Sequence, residues 1–376
     1  MSDRHDLTGR LVLDDRVVGG RLSIADGAIV AVDVDESPAA ADSPILAPGF
    51  VDVHVHGWGG HDAMGDPAAL DGMARALARR GVTSFLPTAA SAPLETLTAF
   101  TDRVRAWRPS APRDGAEPIG ANLEGPFLAE AKKGAHDPRY LRAPDSVTAD
   151  ELTRLVDGIT LITIAPERPG ALALIADLRA RGLHVSLGHS AASHDQARAG
   201  YAAGGTTTTH LFNGMSGLDH RTPGLAAAAL LDDEAFVELI ADGHHVHPAL
   251  WRLIHRVKPR DRVLLVSDAM PLAGTSATRV TMGETEMEVV DGRVVIAGTT
   301  TLAGSIIAID DAVRNVVAAG IPLQDVVAAA APNPLAMLGI TDRGRLAVGQ
   351  RADVVALDEA LRVRRVWREG RELELG

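Results

Sequence analysis

The sequence predicts an α/β protein: a (β/α)8 TIM-like barrel with a small β-sandwich domain built from the N- and C-terminal segments. Three observations carry this reading. Apolar strand-like runs recur eight times with amphipathic helical segments between most of them. Reactive side chains fall where those runs stop. Short alternating β patterns flank the whole region, over residues 1–47 and 343–376, which leaves 48–342 as the barrel domain. At 376 residues the chain exceeds what one compact core usually holds, in keeping with one large domain and one small one.

Taken in order, residues 10–13, 20–24 and 28–32 alternate apolar and polar positions between Gly and Asp, the pattern of hairpins. A proline- and alanine-containing linker around 44–48 leads into the first barrel strand, 51–56. Further strands are expected at 82–87, 119–124, 160–165, 184–189, 206–210, 236–242 and 263–268. Helical spacing is clear in Met73 and Leu77, in Leu174, Ile175 and Leu178, and in Leu250, Ile254 and Val257. Residues 279–301 read as an inserted β-hairpin, with Asp291-Gly292 as its tight turn. The β pattern returns at 344–346, 352–357 and 363–367. Because an isolated two- or three-stranded sheet is marginal in water, the two ends should pair with each other.

Composition narrows the function. Hydrophobic residues make up 46% and charged ones 23%, which excludes disorder. A net charge of -12 argues against nucleic acid or an anionic membrane surface as partner. There is no cysteine, so disulfides, thiolate nucleophiles and sulfur-rich metal sites are all excluded. Any metal must sit on His, Asp or Glu. The polar opening, Met1 to Asp6, and the lack of an uncharged apolar run of roughly 18 residues lead us to expect a soluble, cytoplasmic protein.

The strand ends hold the chemistry. His54 and His56 lie two apart on one strand and share a face, a spacing that suits one divalent ion. Glu124, His189, His210 and Asp268 end later strands. Each has an ordinary reading alone: Glu124 as a turn cap, His189 and His210 as core histidines, Asp268 as a helix N-cap. Six such groups at barrel strand ends point instead to one pocket, where four imidazoles and two carboxylates suffice for one or two hydrolytic ions bridged by Glu124. Asp268, on the last strand, suits general acid and base work. His61, His184, His194, His220, His244 and His247 have no strand-end role and are assigned to surface or packing.

Motifs in order then carry a resemblance: Pro48 to Gly57 (PGFVDVHVHG), Leu123 to Phe127 (LEGPF), Lys132 to His136 (KKGAH), Ala165-Pro166-Glu167, Gly188-His189-Ser190, Thr209 to Met215 (THLFNGM), Ala241 to His245 (ADGHH) and Leu302 to Ser305 (LAGS). The chain resembles the N-acetylglucosamine-6-phosphate deacetylase family, a branch of the amidohydrolase superfamily that uses a glutamate, here Glu124, where other branches bridge two metals with a modified lysine. The resemblance implies hydrolysis of the acetamide of N-acetylglucosamine 6-phosphate. Glu124, His189 and His210 would hold the principal ion, with His54 and His56 available for a second. Zinc is the leading candidate, with iron, manganese and cobalt as alternatives. Asp268 would be catalytic base and then acid, and His136 would polarise the acetyl carbonyl. Ala135, Asn213, Gly214, Arg221, His245, Leu302, Ala303 and Gly304 would hold the sugar phosphate. Arg221 would reach the neighbouring subunit's site, which implies a homodimer.

Three departures from the family pattern stand out. Some relatives carry a non-ligating residue in the His-x-His positions and use a single metal, whereas His54 and His56 are both intact here and the chain could hold two. Asn213-Gly214 replaces Asn-Ala, expected to matter little if the contact is through backbone N–H, and Ser267-Asp268-Ala269 replaces Thr-Asp-Ala. Two rival readings remain open at this point, another amidohydrolase deacylase or cyclic amidase, and a barrel scaffold that has lost its chemistry. No Walker-type phosphate loop is present, so a dianionic substrate needs side chains such as Arg221.

Overall fold

A computed structural model describes residues 4–36 and 42–375; residues 1–3, 37–41 and 376, which fall in the terminal segments, lie outside that description. Eight parallel strands follow one another around a barrel: β1 (Phe50–Val55), β2 (Val82–Ala90), β3 (Asn122–Glu124), β4 (Leu161–Ile164), β5 (His184–Leu187), β6 (Thr207–Thr208), β7 (Phe236–Ile240) and β8 (Val263–Val266). The ladder runs unbroken from β1 to β8. At the remaining seam, the Asp268 amide donates to the His54 carbonyl at 2.9 Å and the Ser267 hydroxyl donates to Asp52 at 2.5 Å.

Several strands stop before the reactive residues that the sequence placed in them. The reason is backbone conformation. His189, His210 and Asp268 have φ of 45°, 28° and 49°, a left-handed turn that cannot continue a ladder and aims each side chain over the barrel mouth.

Local signals explain the helices. Pro67–Ala78 begins with Asp66, which accepts the Ala69 amide at 2.8 Å, followed by proline in the first turn. Capping boxes start Ala149–Val156 (Thr148, Glu151) and His194–Ala202 (Ser193, Gln196). In Pro248–Val257 the buried stripe is Trp251 and Ile254, whereas Val257 is 41% exposed, so the apolar face is rotated from the expected one.

The barrel interior is layered. At its lower end Val51, Val53, Leu86, Leu161, Ile240, Leu264 and Val266 pack on Leu335 and Met337 of a plugging helix, Pro332–Met337. Above them the hydroxyls of Ser186 and Thr163 meet that of Thr209 at 2.5 and 2.9 Å. The top layer is the site described below.

The chain ends pair as expected, in a seven-stranded sheet ordered Arg371–Glu372, Val363–Arg368, Val354–Leu357, Ile45–Pro48, His5–Val12, Val17–Ala25, Ala28–Asp35. The sheet folds over on itself: the Ile29 amide donates to the Gln350 carbonyl at 2.9 Å, and Leu11, Leu22, Ile24 and Ile29 share a core with Val354 and Trp367. The insert has one strand more than a hairpin, with Arg279–Met282, Thr285–Val290 and Arg293–Ile296 in an antiparallel sheet. Its second turn is at Asp291-Gly292, with φ of 50° and 76°. The extra turn, at Gly283-Glu284, lacks that dipeptide signature.

Candidate active site

Glu124 is the hub of the barrel mouth. Its Oε1 lies 2.9 Å from His189 Nε2 and 2.8 Å from His210 Nε2, which are themselves 3.1 Å apart. Its Oε2 lies 3.1 Å from His56 Nε2, 3.3 Å from His136 Nε2 and 3.7 Å from His54 Nε2. Asp268 Oδ1 faces the same two histidines of β1 and its exit, 3.2 Å from His56 and 3.6 Å from His54. All seven groups are buried. Left-handed backbone at His189, His210 and Asp268 is strain of the kind that concentrates where side-chain placement matters more than stability.

Ring tautomers show what this cluster is built to hold. His54, His56 and His189 each direct Nδ1 at an atom that only accepts: Glu238 Oε2 at 3.0 Å, the Thr88 carbonyl at 3.2 Å and the Lys132 carbonyl at 2.7 Å. In its neutral form each ring therefore carries its proton on Nδ1 and turns the Nε2 lone pair towards carboxylate oxygens. With no other cation there, burial opposes a second proton but the facing carboxylates favour it, raising the pKa of His56 to about 9 and that of His54 well above its usual value. His54 Nε2 is buried with no hydrogen-bond partner. Lone pairs converging on carboxylates are mutually repulsive unless a cation lies between them, so the donor set fits a divalent ion, with outer carbonyls and a carboxylate orienting the imidazoles. His54, His56 and Asp268 form one group whose atoms lie close enough to hold an ion, and Glu124, His136 and His189 form another, with His210 Nε2 beside it, 2.8 Å from Glu124.

His136 has the opposite tautomer. The Ser91 amide donates to its Nδ1 at 3.2 Å, so its proton sits on Nε2 and points into the pocket. Burial keeps this ring neutral, with its pKa lowered to about 4. It can therefore donate to an oxygen but is not oriented as a ligand. For Glu124, burial favours the neutral acid, but the facing imidazoles of His136 and His54 win and hold it well below the usual carboxylate range. Asp268 is likewise opposed by burial and lowered by His56 and His54, which leaves it ionised near neutrality.

A cavity of about 730 Å³ opens over these groups. Its wall includes His56, Glu124, Ala135, His136, His189, His210, Asn213, Gly214, His245, Asp268, Leu302, Ala303 and Gly304. Two expected residues are not part of it. His54 lies beneath the floor, fully buried. Arg221 is exposed on the loop after β6, its amide held by Asp219 at 2.8 Å, so within one chain it does not meet the cavity. His245 is turned inward by Asp242, which accepts from its Nδ1 at 2.7 Å; burial opposes a charge on the ring, but this bond raises its pKa. Glu284 of the insert pairs with Arg139 at 2.7 Å, drawing the insert to the cavity rim. None of the six histidines set aside by sequence lines the cavity.

Sequence reasoning missed Glu238 and Asp52. Glu238, fully buried in β7, accepts from His54 Nδ1 and from the His210 amide at 3.1 Å. The available signal was one acid in an apolar run, Phe236-Val237-Glu238-Leu239-Ile240. Glu167, by contrast, carries a motif but only ties loops together, accepting the Ser190 hydroxyl at 2.7 Å and the Ala191 amide at 2.6 Å. Gly214 matters more than expected: at φ 55° a Cβ there would stand 2.9 Å from His189 Nδ1, so an alanine requires the ring or the loop to shift.

The family model described as Amidohydrolase family matches residues 45–373. The chain belongs to the amidohydrolase family. Among curated members it is 41% identical to an N-acetylgalactosamine-6-phosphate deacetylase of Escherichia coli O157:H7, over 98% of this chain and 97% of that protein. It is 37% identical to the N-acetylglucosamine-6-phosphate deacetylase of Vibrio furnissii, over 92% and 88%. This amidohydrolase superposes on N-acetylglucosamine-6-phosphate deacetylase from Thermotoga maritima with a TM-score of 0.91 at 32% identity, covering 98% of this chain and 99% of the other. With a Mycobacterium smegmatis deacetylase variant solved in complex with N-acetyl-D-glucosamine-6-phosphate, the TM-score is 0.90 at 36% identity, over 98% and 99%. Among the described residues no helix is long and apolar enough to cross a membrane.

Proposed function

We propose that this amidohydrolase hydrolyses the acetamide of N-acetylglucosamine 6-phosphate, giving glucosamine 6-phosphate and acetate. The observation that carries the reading is the meeting of Glu124, His189, His210, His136 and Asp268 at one cavity, in a chain whose near-full-length relatives are amino-sugar phosphate deacetylases. Glu124, His189 and His210 would hold one divalent ion, zinc first among candidates, and His54 and His56 a second. A bound ion would supply Lewis acidity, acidifying a water and polarising the amide carbonyl.

The side chains divide the remaining work. Asp268, ionised before reaction, accepts a proton from the attacking water as its oxygen bonds to the acetyl carbon. The same proton then passes to the amine nitrogen as the C–N bond breaks. His136 donates its Nε2–H to the carbonyl oxygen, whose charge grows in the transition state. Backbone at Ala135, Asn213 and Gly214, the Leu302-Ala303-Gly304 loop and His245 hold the sugar phosphate, with Arg221 supplied by a second subunit of a homodimer. The division into a catalytic barrel, 48–342, and a supporting unit from the two ends belongs to the same reading, as does a cytoplasmic setting, since a sugar phosphate does not cross membranes unaided.

The 41% identity to the galactosamine enzyme favours a second reading, in which the C4 epimer is the better substrate. The test is acetate release from both N-acetylhexosamine 6-phosphates, from unphosphorylated N-acetylglucosamine and from N-acetyl amino acids. Each is assayed after chelation and after zinc, iron, manganese or cobalt is restored. Turnover of a phosphorylated sugar only with metal restored supports the proposal. Equal turnover of the unphosphorylated sugar, or preference for an N-acetyl amino acid, refutes it.

A further inference from the structure

Glu238 is a carboxylate with no contact to the cavity and no place in the steps above. It sits fully buried in the middle of β7, between Val237 and Leu239, which face the helices. A buried carboxylate is expensive unless its partners compensate it. Its partners are two: the ring of His54, 3.0 Å from Oε2, and the backbone amide of His210, 3.1 Å from the same oxygen. The other oxygen, Oε1, has no hydrogen-bond partner. Thus one carboxylate bridges a candidate ligand on β1 and the chain segment that carries another after β6.

The consequence falls on His54. Because Glu238 accepts at Nδ1, the free electron pair of His54 is fixed on Nε2, 3.7 Å from Glu124 Oε2 and 3.6 Å from Asp268 Oδ1. That nitrogen is buried, unpartnered and cut off from the cavity by His56, Glu124 and Asp268. A ring so placed cannot bind substrate, and it faces two acceptors with nothing to donate. Two arrangements satisfy it. Either a divalent ion lies among His54, His56 and Asp268, or the ring takes a second proton and becomes an imidazolium between Glu238 and the two acids.

We propose that Glu238 is a positioning residue for the first arrangement: by fixing the tautomer and orientation of His54 it sets the affinity of the ion held with His56 and Asp268, while the ion at Glu124, His189 and His210 depends on it far less. The proposal rests on the metal-dependent reading above. Loss of such an outer carboxylate typically weakens metal binding about 10–100-fold. Glu238→Gln is the conservative probe, since an amide oxygen can still accept both hydrogen bonds while the charge is lost.

The experiment is equilibrium dialysis of the metal-stripped full chain against zinc, with ion content per chain and competition by a chelator as readouts. Expected are two ions in the wild type, and in Glu238→Gln one ion retained and one weakened about 10–100-fold. His54→Ala should lose that same ion, and adding Glu238→Gln to it should change nothing further. A wild type that saturates at one ion, a Glu238→Gln variant with unchanged affinities, or additive effects in the double variant would each overturn the proposal. Should the variant not fold, ¹⁵N-histidine spectra of the wild type decide instead. Metal coordination at His54 Nε2 with Nδ1 still protonated upholds the proposal, and protons on both nitrogens at saturating zinc overturn it. Two-ion binding without acetate release would refute the deacetylase reading alone; acetate release with Glu238→Gln binding both ions normally would refute only the role of Glu238.

Discussion

Asp52 accepts the Ser267 hydroxyl at 2.5 Å across the seam between β1 and β8. It also takes the amides of Ser267 and His54, both at 3.3 Å, and is fully buried. One side chain thereby joins the strand that carries His54 to the residue before Asp268. Asp52→Ala should lower stability by about 3 kcal/mol, because it leaves three donors without an acceptor in a dry seam. Urea unfolding of the metal-stripped protein measures it, and a cost below about 0.5 kcal/mol would show that other contacts close the barrel.

The same residue gives a pH signature. Burial raises its pKa from 3.8 to about 7, against the opposing bonds from Ser267 and His54. A carboxyl whose folded pKa lies above its unfolded one contributes stability that is fully present below about pH 4 and is lost as pH rises through about 7. Asp52→Asn cannot titrate. Between pH 4 and 7.5 the wild type should therefore lose stability relative to Asp52→Asn, by ~2–4 kcal/mol in metal-free protein. A difference that is flat with pH, or of opposite sign, contradicts this.

Asp268→Asn should reduce kcat about 10²- to 10⁴-fold while KM stays within a few-fold, since the change removes proton transfer and leaves the sugar contacts. The ion assigned to Glu124, His189 and His210 should remain bound. Steady-state kinetics with metal analysis of the same sample checks both parts.

Arg221 lies outside its own chain's cavity, so its contribution should appear only between subunits. Arg221→Ala is expected to raise KM for the phosphorylated sugar at least 10-fold, the scale of one lost charge-assisted phosphate contact. Its effect on the unphosphorylated sugar should be small. Mixed with Asp268→Asn protein under conditions that exchange subunits, it should regain activity at low substrate, because the hybrid holds one complete site. No recovery in proven hybrids would place Arg221 outside the site.

Lys258 is a test of the scaffold. Its ammonium is buried and donates to the carbonyls of Ala229 at 3.0 Å and Ala235 at 2.6 Å, and to that of Asp232. Lys258→Met should cost about 3 kcal/mol by stranding these acceptors at the end of the Leu225–Leu231 helix, with kcat nearly unchanged at low temperature. A melting shift within error would refute it.

The barrel was legible because strand period and strand ends are local properties: His54, Glu124, His189 and Asp268 sit in or at the end of apolar runs, and His210 closes a run of β-branched threonines, so the strand ends told where they would meet. Where the reading fell short, the cause was non-local. Glu238 interrupts an apolar strand in a way that sequence cannot distinguish from a solvent-facing acid; its meaning lies in His54, which is far away in the chain. Asp52 looks like a polar position of β1 until Ser267 is brought to it. The third strand of the insert turns at Gly283-Glu284 without the dipeptide that marked Asp291-Gly292. Arg221 reads as a phosphate ligand through the family resemblance, yet one chain alone leaves it in solvent.

The pairing of Ile45–Pro48 with Val354–Leu357 has a bearing on biosynthesis. The first strands to leave the ribosome must wait for the last, with Leu46 and Ala47 unshielded while the whole barrel is translated. A transcript truncated near its 3′ end would yield a polypeptide with a complete catalytic centre and an unfinished apolar edge, a state suited to surveillance by chaperones and proteases.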